Sequence, residues 1–341
     1  MNLQQRYRSK LIYGVKRIHN SRAMGRGIGL FLMALLLICV NGCTMQSSKG
    51  PNNEVEDTQV TKEMVSGEGS KKEEQAGTKK KGKKNEETEQ KSALTTQNRE
   101  LSMSSYDGIS HAYNSWWFKR NMDHLPSGAQ EEIDIAKYNA VYVSNKAVQG
   151  KNIDKVIYLT FDCGYDNGYT ETMLDILKKH KAPATFFVTQ TYIRDSTDIV
   201  KRMKEEGHFV GNHSITHPNL SDAPLEKIEE EILGCQDYMK EATGYEMDLF
   251  FRPPKGEYSE YLLKVAQDLG YKTVFWSMAY LDYDVNNQPS VDHVVEHWQK
   301  YYHPGAIPLI HNVSSANAAA LETILTNLEK EGYRFGSLDE L

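Results

Sequence analysis

Cysteine is scarce in this chain of 341 residues, which contains 4. Cys39 lies inside an apolar run and Cys43 closely follows that run, so Cys163 and Cys235 are left in the part predicted to fold. An oxidising compartment would permit a disulfide between these last two. However, Cys163 stands at the end of a strand-like run and Cys235 lies within a helical pattern. We therefore expect both thiols to be free.

Long hydrophobic runs and an excess of positive charge are also missing. The net charge of -6 gives no support for a nucleic-acid partner. The apolar run at residues 28–40 is shorter than the roughly 20 residues that a membrane-spanning helix needs. Arginines and lysines precede the run, so the pattern is typical of the hydrophobic region of a secretory signal.

The N-terminal segment ends in Val40-Asn41-Gly42-Cys43, which resembles a bacterial lipoprotein box. The small Gly42 fits this pattern and Asn41 departs from it. We expect residues 1–43 to be a signal segment with diacylation of Cys43, and the alternatives are an uncleaved anchor and a plain cleaved signal. Each alternative places the rest of the chain outside the cytoplasm, either anchored to the membrane or secreted to the cell wall.

The composition divides the remainder into a linker, an extension and a main domain. Residues 44–100 are rich in Lys, Glu, Gly, Ser, Thr and Gln. They cannot bury enough apolar area to offset the entropy of ordering, so they are predicted to be a disordered linker. Residues 101–153 include Trp116 and Trp117 without a clear period and are predicted to pack on the main domain. Residues 154–341 form that domain.

Strand and helix patterns alternate in the main domain, which predicts an α/β fold with parallel strands. Seven strands and six intervening helices favour a slightly incomplete barrel of the (β/α)7 type. An open doubly wound sheet is the alternative, but no Gly-rich dinucleotide fingerprint follows the first strand. The predicted strands are residues 156–161, 184–189, 208–212, 249–252, 272–278, 306–310 and 333–336. The predicted helices are residues 171–180, 196–206, 224–241, 259–269, 291–302 and 318–330.

Polar side chains stand at the ends of four of these strands. Asp162 follows the first strand, His213 and His217 follow the third, Arg252 ends the fourth and His311 follows the sixth. In a parallel barrel the carboxyl ends of all strands meet at one mouth, so these groups are predicted to converge. The i, i+4 spacing of the first two histidines allows both imidazoles to face one divalent cation.

At these positions the chain resembles the polysaccharide deacetylase family, also called the NodB-homology domain or carbohydrate esterase family 4. Five motifs carry the resemblance, in order, over about residues 152–341. They are Thr160-Phe161-Asp162-Cys163-Gly164, His213-Ser214-x-x-His217, Arg252-Pro253-Pro254-x-Gly256, the acid Asp282 and Leu309-x-His311. Residues 106–154, 164–170, 275–280 and 311–314 are similar to the delta-lactam-biosynthetic de-N-acetylase branch. That branch acts on N-acetylmuramic acid of spore-cortex peptidoglycan.

The resemblance implies a distorted (β/α)7 barrel that hydrolyses an N-acetyl amide. A divalent metal on His213 and His217 would lower the pKa of bound water and polarise the carbonyl. Asp162 would take the proton from that water, and Arg252 would hold this carboxylate ionised and oriented.

The remaining steps of the implied reaction fall to four further residues. His311 would protonate the departing nitrogen, and Asp282 would keep the imidazolium of His311 populated. Backbone N–H groups near Gly164 and Tyr165 would complete the oxyanion site.

The chain departs from the family at Cys163. Most members have a second Asp here as the third metal ligand, and the delta-lactam branch has an amide. A thiolate ligand would favour zinc over magnesium or calcium. If the thiol is a spectator, a two-histidine site completed by water remains, and we favour this alternative. The expected cofactor is a divalent ion, zinc first, with magnesium and manganese among the alternatives.

Substrate choice depends on residues around the predicted mouth. Muramic acid carries a lactyl carboxylate, so a selective pocket needs a nearby cation, and Lys255 beside Arg252 is the candidate. Trp276, Gly164 and Tyr165 are the other candidate substrate-binding residues. Lactam closure requires a free lactyl carboxyl. The substrate should therefore have lost its stem peptide, which implies an N-acetylmuramoyl-L-alanine amidase acting upstream.

These observations predict a metal-dependent peptidoglycan N-acetylmuramic acid deacetylase that contributes to muramic delta-lactam formation. Two alternatives stay open. The first is a deacetylase of N-acetylglucosamine polymers, or an O-acetyl esterase, with the same fold. The second is a wall-binding lipoprotein in which Cys163 marks decay of the metal site.

Overall fold

The computed structural model describes residues 106–129, 133–149 and 152–341. All of these residues belong to the unit Arg99–Leu341. The predicted signal segment, the lipidation site at Cys43 and the linker at residues 44–100 lie outside the described residues. Within the described ranges, no helix combines the length and the apolar character that crossing a bilayer requires.

Short strands alternate with helices along the described chain. The strands are β1 (Asn114–Ser115), β2 (Phe118–Lys119), β3 (Gly128–Ala129), β4 (Ala140–Val141), β5 (Val148–Gln149), β6 (Asn152–Ile153), β7 (Val156–Ile157), β8 (Leu159–Cys163), β9 (Ala184–Val188), β10 (Phe209–Asn212), β11 (Phe250–Phe251), β12 (Glu257–Tyr258), β13 (Lys272–Val274), β14 (Leu309–His311) and β15 (Arg334–Phe335). The helices are α1 (Thr170–Lys179), α2 (Gln190–Asp195), α3 (Thr197–Glu205), α4 (Leu225–Thr243), α5 (Glu260–Asp268), α6 (Val291–Tyr301) and α7 (Ser315–Lys330). Short 3₁₀ turns lie at Ile135–Tyr138, Pro254–Gly256 and Leu338–Glu340.

The main sheet has seven parallel strands in the order β14-β8-β9-β10-β11-β13-β4. The register places Asp162 of β8 beside His311 of β14 on one side and beside Phe187 of β9 on the other. Because the strands are parallel, their carboxyl ends lie along one rim. Side chains from strands that are distant in sequence therefore meet there.

The sheet curls into a distorted barrel that closes through a short seam. Beyond β13, the Ser277 N–H donates to the Ile307 carbonyl at 2.9 Å, and the Leu309 N–H donates to the Met278 carbonyl at 2.8 Å. The predicted α/β barrel is confirmed, and the alternative of an open sheet is not observed. The seam joins the segment after β13 to the segment that leads into β14, while β14 itself pairs with β8 and carries His311 beside Asp162 at the mouth.

The seventh strand differs from the prediction. The sequence predicts residues 333–336 for this role, but β15 pairs with β7 outside the main sheet. Instead β4, from the extension at residues 101–153, hydrogen-bonds to the outer edge of β13. A strand of two residues is too short to show an alternating pattern, and its partner lies far along the chain. Helix α2 is likewise not predicted from the sequence, although Thr189 caps it by accepting from the Tyr192 N–H at 3.1 Å.

The two faces of β8 pack against different layers, because successive side chains of a strand point in opposite directions. Phe161 and Cys163 belong to the buried cluster that contains α1 residues such as Leu174. Thr160 and Asp162 point the other way, into the barrel, where Phe187 contributes to a separate interior cluster. The inward residues of β8 are therefore available to the site and the outward ones are not.

Trp116 is one of the extension residues that pack on the barrel, and it is 6% exposed. Its ring stacks on Phe275 at 4.4 Å between centroids, and its indole N–H donates to the Trp276 carbonyl at 2.9 Å. β1 pairs with β12 beside this contact. Trp117, by contrast, is 48% exposed.

Candidate active site

A cavity of about 790 Å³ opens at the carboxyl ends of the parallel strands. Its lining combines a carboxylate, three imidazoles and a lysine with aromatic rings. The lining includes Asp162, His213, His217, Lys255, Trp276 and His311. The structure thus brings together polar residues that the sequence predicted to converge.

Arg252 and Asp162 form a buried ion pair on the floor of this cavity. The Arg252 Nη1 donates to Asp162 Oδ1 at 2.7 Å, and the arginine side chain is 0% exposed. Its other N–H groups donate to Thr160 Oγ1 at 2.9 Å and to the Val274 carbonyl at 3.0 Å, while the guanidinium lies 4.2 Å from the centre of the Phe187 ring. Burial alone would raise the pKa of Asp162, but the charges of Arg252, His213 and His311 and the hydrogen bond from Arg252 together outweigh burial, so the net pKa is lowered. Asp162 is therefore ionised.

His213 and His217 face the same part of the cavity. Their ring centroids lie 4.7 Å apart, with the planes at 70°. The Nδ1 of His213 lies 2.8 Å from the Arg252 carbonyl, which can only accept, so Nδ1 carries the proton and Nε2 bears a lone pair. Burial lowers the pKa of His213 to about 4, which keeps this ring neutral near pH 7.

The Nε2 lone pair of His213 lies 3.6 Å from Asp162 Oδ2. Two acceptors that face each other without a proton between them repel, and a cation placed near both would relieve the repulsion. This arrangement fits a metal site built on the two imidazoles. In the described part of the chain, no three His, Cys, Asp or Glu side chains are grouped to hold a metal ion. Two imidazoles supply two of the four ligands that zinc sites commonly have, and water or substrate would supply others.

His311 stands on the opposite side of the mouth and is oriented by Asp282. The His311 Nδ1 donates to Asp282 Oδ1 at 2.7 Å, and the His311 backbone N–H donates to Oδ2 at 2.8 Å. Asn317 Nδ2 also donates to Oδ2, at 2.6 Å. Burial alone would lower the pKa of His311, but its hydrogen bond to Asp282 and the charge of that carboxylate outweigh burial and raise it. The His311 imidazolium is thus stabilised at the cavity.

Cys163 lies on the opposite face of β8 from Asp162. Its side chain is 0% exposed and packs in the apolar cluster between the sheet and the helices. Burial, together with the nearby carboxylates, raises the pKa of this thiol well above its usual value. Strand alternation turns the sulfur away from the face of β8 that carries Asp162, which agrees with the favoured alternative of a spectator thiol and not with Cys163 as an uncertain third metal ligand. Cys235, also buried, is likewise free.

Gly164 and Tyr165 line the cavity directly after the end of β8. The Gly164 carbonyl accepts from Thr189 Oγ1 at 3.1 Å, and the Tyr165 carbonyl accepts from Asn312 Nδ2 at 3.0 Å. These two bonds fix the orientation of the peptide planes that follow the catalytic strand. The loop therefore has the rigidity that an oxyanion-binding backbone requires.

Lys255 and Trp276 lie on the side of the cavity formed by the turn Pro254–Gly256. Lys255 has a φ of 58°. Burial lowers the pKa of His217 and the charge of Lys255 lowers it further, so the Lys255 ammonium acts on the same cavity. Gly256 has a φ of 69°, and a Cβ at this position would stand 2.6 Å from the Trp276 ring. Glycine is thus required for the turn to pass beneath the tryptophan.

The structure also brings in residues that the sequence analysis missed. Tyr283 lines the cavity, is 58% exposed, and meets the His311 ring edge to face at 5.6 Å. Asn317 holds Asp282 from α7, and Glu231 holds the histidine loop from α4. The position of Tyr283 directly after Asp282 is the signal that could have found it. Nothing in the local sequence marks Asn317 or Glu231.

Comparison with known proteins identifies the class. A family model described as polysaccharide deacetylase matches residues 149–274. Over 229 residues the chain is 44% identical to the peptidoglycan-N-acetylmuramic acid deacetylase PdaA of Bacillus subtilis, covering 67% of this chain and 85% of the relative. The chain therefore belongs to the polysaccharide deacetylase family, and it is a hydrolase.

Two further comparisons agree with this assignment. The solved structure of Bacillus subtilis PdaA, a family 4 carbohydrate esterase, matches with a TM-score of 0.65 and 43% identity, over 68% of this chain and 98% of that one. A peptidoglycan-N-acetylglucosamine deacetylase of Bacillus cereus is 38% identical over 193 residues, 56% of this chain and 89% of the relative. The barrel is thus the NodB-homology fold of this family.

Proposed function

We propose that the protein is a metal-dependent peptidoglycan N-acetylmuramic acid deacetylase. The observation that carries the proposal is the convergence of three units on one cavity: the ion pair of Asp162 with Arg252, the two imidazoles of the histidine loop, and the pair of His311 with Asp282. Amide hydrolysis needs a base for water, a site for the oxyanion and an acid for the leaving amine. Each need has a residue here.

Asp162 acts as the general base. Its carboxylate is ionised because the neighbouring positive charges, that of Arg252 first, together outweigh the effect of burial on its pKa. The carboxylate projects into the cavity next to His213 Nε2, at 3.6 Å. The buried guanidinium keeps the carboxylate oriented through a 2.7 Å hydrogen bond. Asp162 is therefore placed to accept a proton from a water molecule held beside the histidines.

His311 acts as the general acid for the departing nitrogen. Its Nδ1 is committed to Asp282, which leaves Nε2 to protonate the amine. The raised pKa of His311 increases the fraction of imidazolium at neutral pH. The backbone N–H groups around Gly164 and Tyr165 stabilise the negative charge that develops on the carbonyl oxygen.

His213 and His217 would hold the divalent metal. When bound, such an ion lowers the pKa of water and polarises a carbonyl oxygen. His213 is neutral and its Nδ1 donates to a backbone carbonyl, so its Nε2 is free to act as a metal ligand. With Cys163 buried elsewhere, the donor set contains no thiolate, and we propose zinc on the basis of the imidazole ligands.

The muramic substrate is supported by two observations. The first is the 44% identity to the muramic deacetylase of Bacillus subtilis. The second is Lys255, whose ammonium acts on the cavity and suits a lactyl carboxylate. Trp276, Tyr165 and Tyr283 add aromatic surface against which the face of a sugar ring can pack.

The proposal extends to the biological setting. Removal of the acetyl group exposes an amine that a neighbouring lactyl carboxyl can acylate, so the enzyme contributes to muramic delta-lactam formation in spore cortex. An amidase must first remove the stem peptide. The basic and apolar N-terminal segment supports a location outside the cytoplasm, with the membrane anchor at Cys43.

The decisive experiment measures acetate release from peptidoglycan treated with an amidase, with and without a chelator. The wild type should release acetate from muramic residues, zinc should restore activity after chelation, and Asp162→Asn and His311→Ala should each abolish release. His293→Ala is the matched control, because His293 is an exposed residue of α6 and forms, with the buried His297, the other i, i+4 histidine pair. Release from glucosamine residues alone, or no release with any divalent ion, would reject the proposal.

A further inference from the structure

The loop between the two candidate metal ligands has an unfavourable backbone. Ser214 has a φ of 70° and His217 has a φ of 58°, both in the left-handed region that disfavours residues with a Cβ. The His217 N–H donates to Ser214 Oγ at 3.0 Å, which tightens the turn. Such a conformation persists only when its surroundings hold it.

Glu231 of α4 holds this loop from behind. Its Oε2 accepts from the backbone N–H groups of Ile215 and Thr216, each at 2.9 Å. Its Oε1 accepts from Thr216 Oγ1, also at 2.9 Å. The carboxylate thus binds two successive peptide groups midway between His213 and His217.

The Glu231 carboxylate that holds the loop is buried. It accepts hydrogen bonds from the loop through both oxygens only when it is ionised. The Glu231 side chain is 1% exposed and is paired with Lys227, one turn earlier in α4, at 2.8 Å. A buried charge is retained only where hydrogen bonds and a counter-charge offset its desolvation. Here the loop N–H groups and the lysine do so together.

We propose that Glu231 is a positioning residue for the two-histidine metal site. Its carboxylate holds the loop at residues 214–217, whose turn places the two imidazole centroids 4.7 Å apart. The inference rests on the metal site of the proposed function, but Glu231 itself lies outside the cavity lining and touches neither the metal nor the substrate. It acts through the loop.

The test is zinc binding to chelator-treated full-length protein, measured by isothermal titration calorimetry. Glu231→Gln keeps the shape but turns an amide N–H₂ toward donors, so we expect zinc affinity to fall by about ten-fold to a hundred-fold. Glu230→Gln is the matched control: Glu230 is the preceding residue of α4 and pairs with the same Lys227, at 3.2 Å. The zinc affinity of Glu230→Gln should stay within about twofold of the wild type, because the ion pair between Glu230 and Lys227 is exposed to solvent.

A second variant covers the case in which Glu231→Gln does not fold. Thr216→Val removes only the hydroxyl bond to Glu231, and we expect a smaller loss of zinc affinity, about three-fold to ten-fold. Zinc affinities equal to the wild type in both variants, or in Thr216→Val alone where the other is unfolded, would overturn the inference. That result leaves the proposed function intact. A wild type that binds zinc but releases no acetate would instead reject the proposed function and leave the role of Glu231 standing.

Discussion

The guanidinium of Arg252 is completely buried and lies 2.7 Å from the carboxylate of Asp162, one residue before the end of β8. Charges this deep are tolerated only when each has a partner. The pair is therefore at once a structural contact of the barrel interior and the source of the ionised base in the cavity.

Replacing Arg252 by Met should affect both stability and activity. The substitution leaves Asp162 buried without its counter-charge, so we expect the free energy of unfolding to fall by about 3–5 kcal/mol. The pKa of Asp162 should rise, and deacetylation should be lost. Urea unfolding and acetate release measure these two effects. Arg202→Met is the control, because Arg202 makes ion pairs on the surface that should contribute about 1 kcal/mol or less. A similar loss in both variants would contradict the account.

Replacing Asp282 by Asn should move the alkaline limb of the pH–rate profile. His311 works as an acid when protonated, and its pKa is raised by Asp282 against the opposing effect of burial. Without the negative charge this pKa falls, so activity should be lost at lower pH than in the wild type. The profile of kcat/KM against pH is the measurement. Asp284→Asn, two residues further on and only partly buried, should leave the limb in place. A limb that does not move in Asp282→Asn would show that His311 is not the acid.

Replacing Cys163 by Ser should leave metal binding unchanged. The sulfur lies in the apolar layer between the sheet and α1, so the substitution buries a hydroxyl there and should cost about 1–3 kcal/mol of stability. Zinc content after dialysis, measured by atomic absorption, should equal that of the wild type. Cys235→Ser, at a second fully buried thiol, should show the same pattern. Selective zinc loss in Cys163→Ser would reinstate the thiolate as a ligand.

Replacing Lys255 by Met should alter substrate selectivity more than catalysis. A charged hydrogen bond to a lactyl carboxylate contributes about 1.5–3 kcal/mol, so kcat/KM for the muramic substrate should fall roughly ten-fold to a hundred-fold. The value for an N-acetylglucosamine oligomer should stay nearly constant. Lys181→Met provides the control, since Lys181 is another exposed lysine with a positive φ, of 50°. An equal loss on both substrates would show that Lys255 does not read the lactyl group.

Much of the fold could be predicted because the main strands are buried runs with recognisable ends. β8 and β9 are buried at every residue. A short, continuous apolar run of this kind can be recognised as a strand without knowledge of the strands that pair with it. β4 could not be predicted, because two residues carry no period and their partner β13 is distant in sequence. The identity of the seventh strand was therefore wrong, although the architecture was right.

Some residues of the candidate site could likewise be predicted from the sequence, and others could not. Asp162, His213, His217, Arg252 and His311 stand at strand ends and are visible as polar residues that interrupt apolar runs. The residues that orient them come from helices and depend on packing. Asn317 reaches Asp282 from α7 at 2.6 Å, and no spacing rule connects these two positions.

The amino-acid sequence by itself determined which residues end the strands, and hence which functional groups reach the mouth of a parallel barrel. It also determined the family, since its motifs depend on local order. Only the tertiary structure decided which way each group faces. Cys163 and Asp162 are adjacent in the chain, yet strand alternation sends one into the helix layer and the other into the cavity. Sequence order specifies neighbours along the chain, whereas the closing of the barrel specifies neighbours across it.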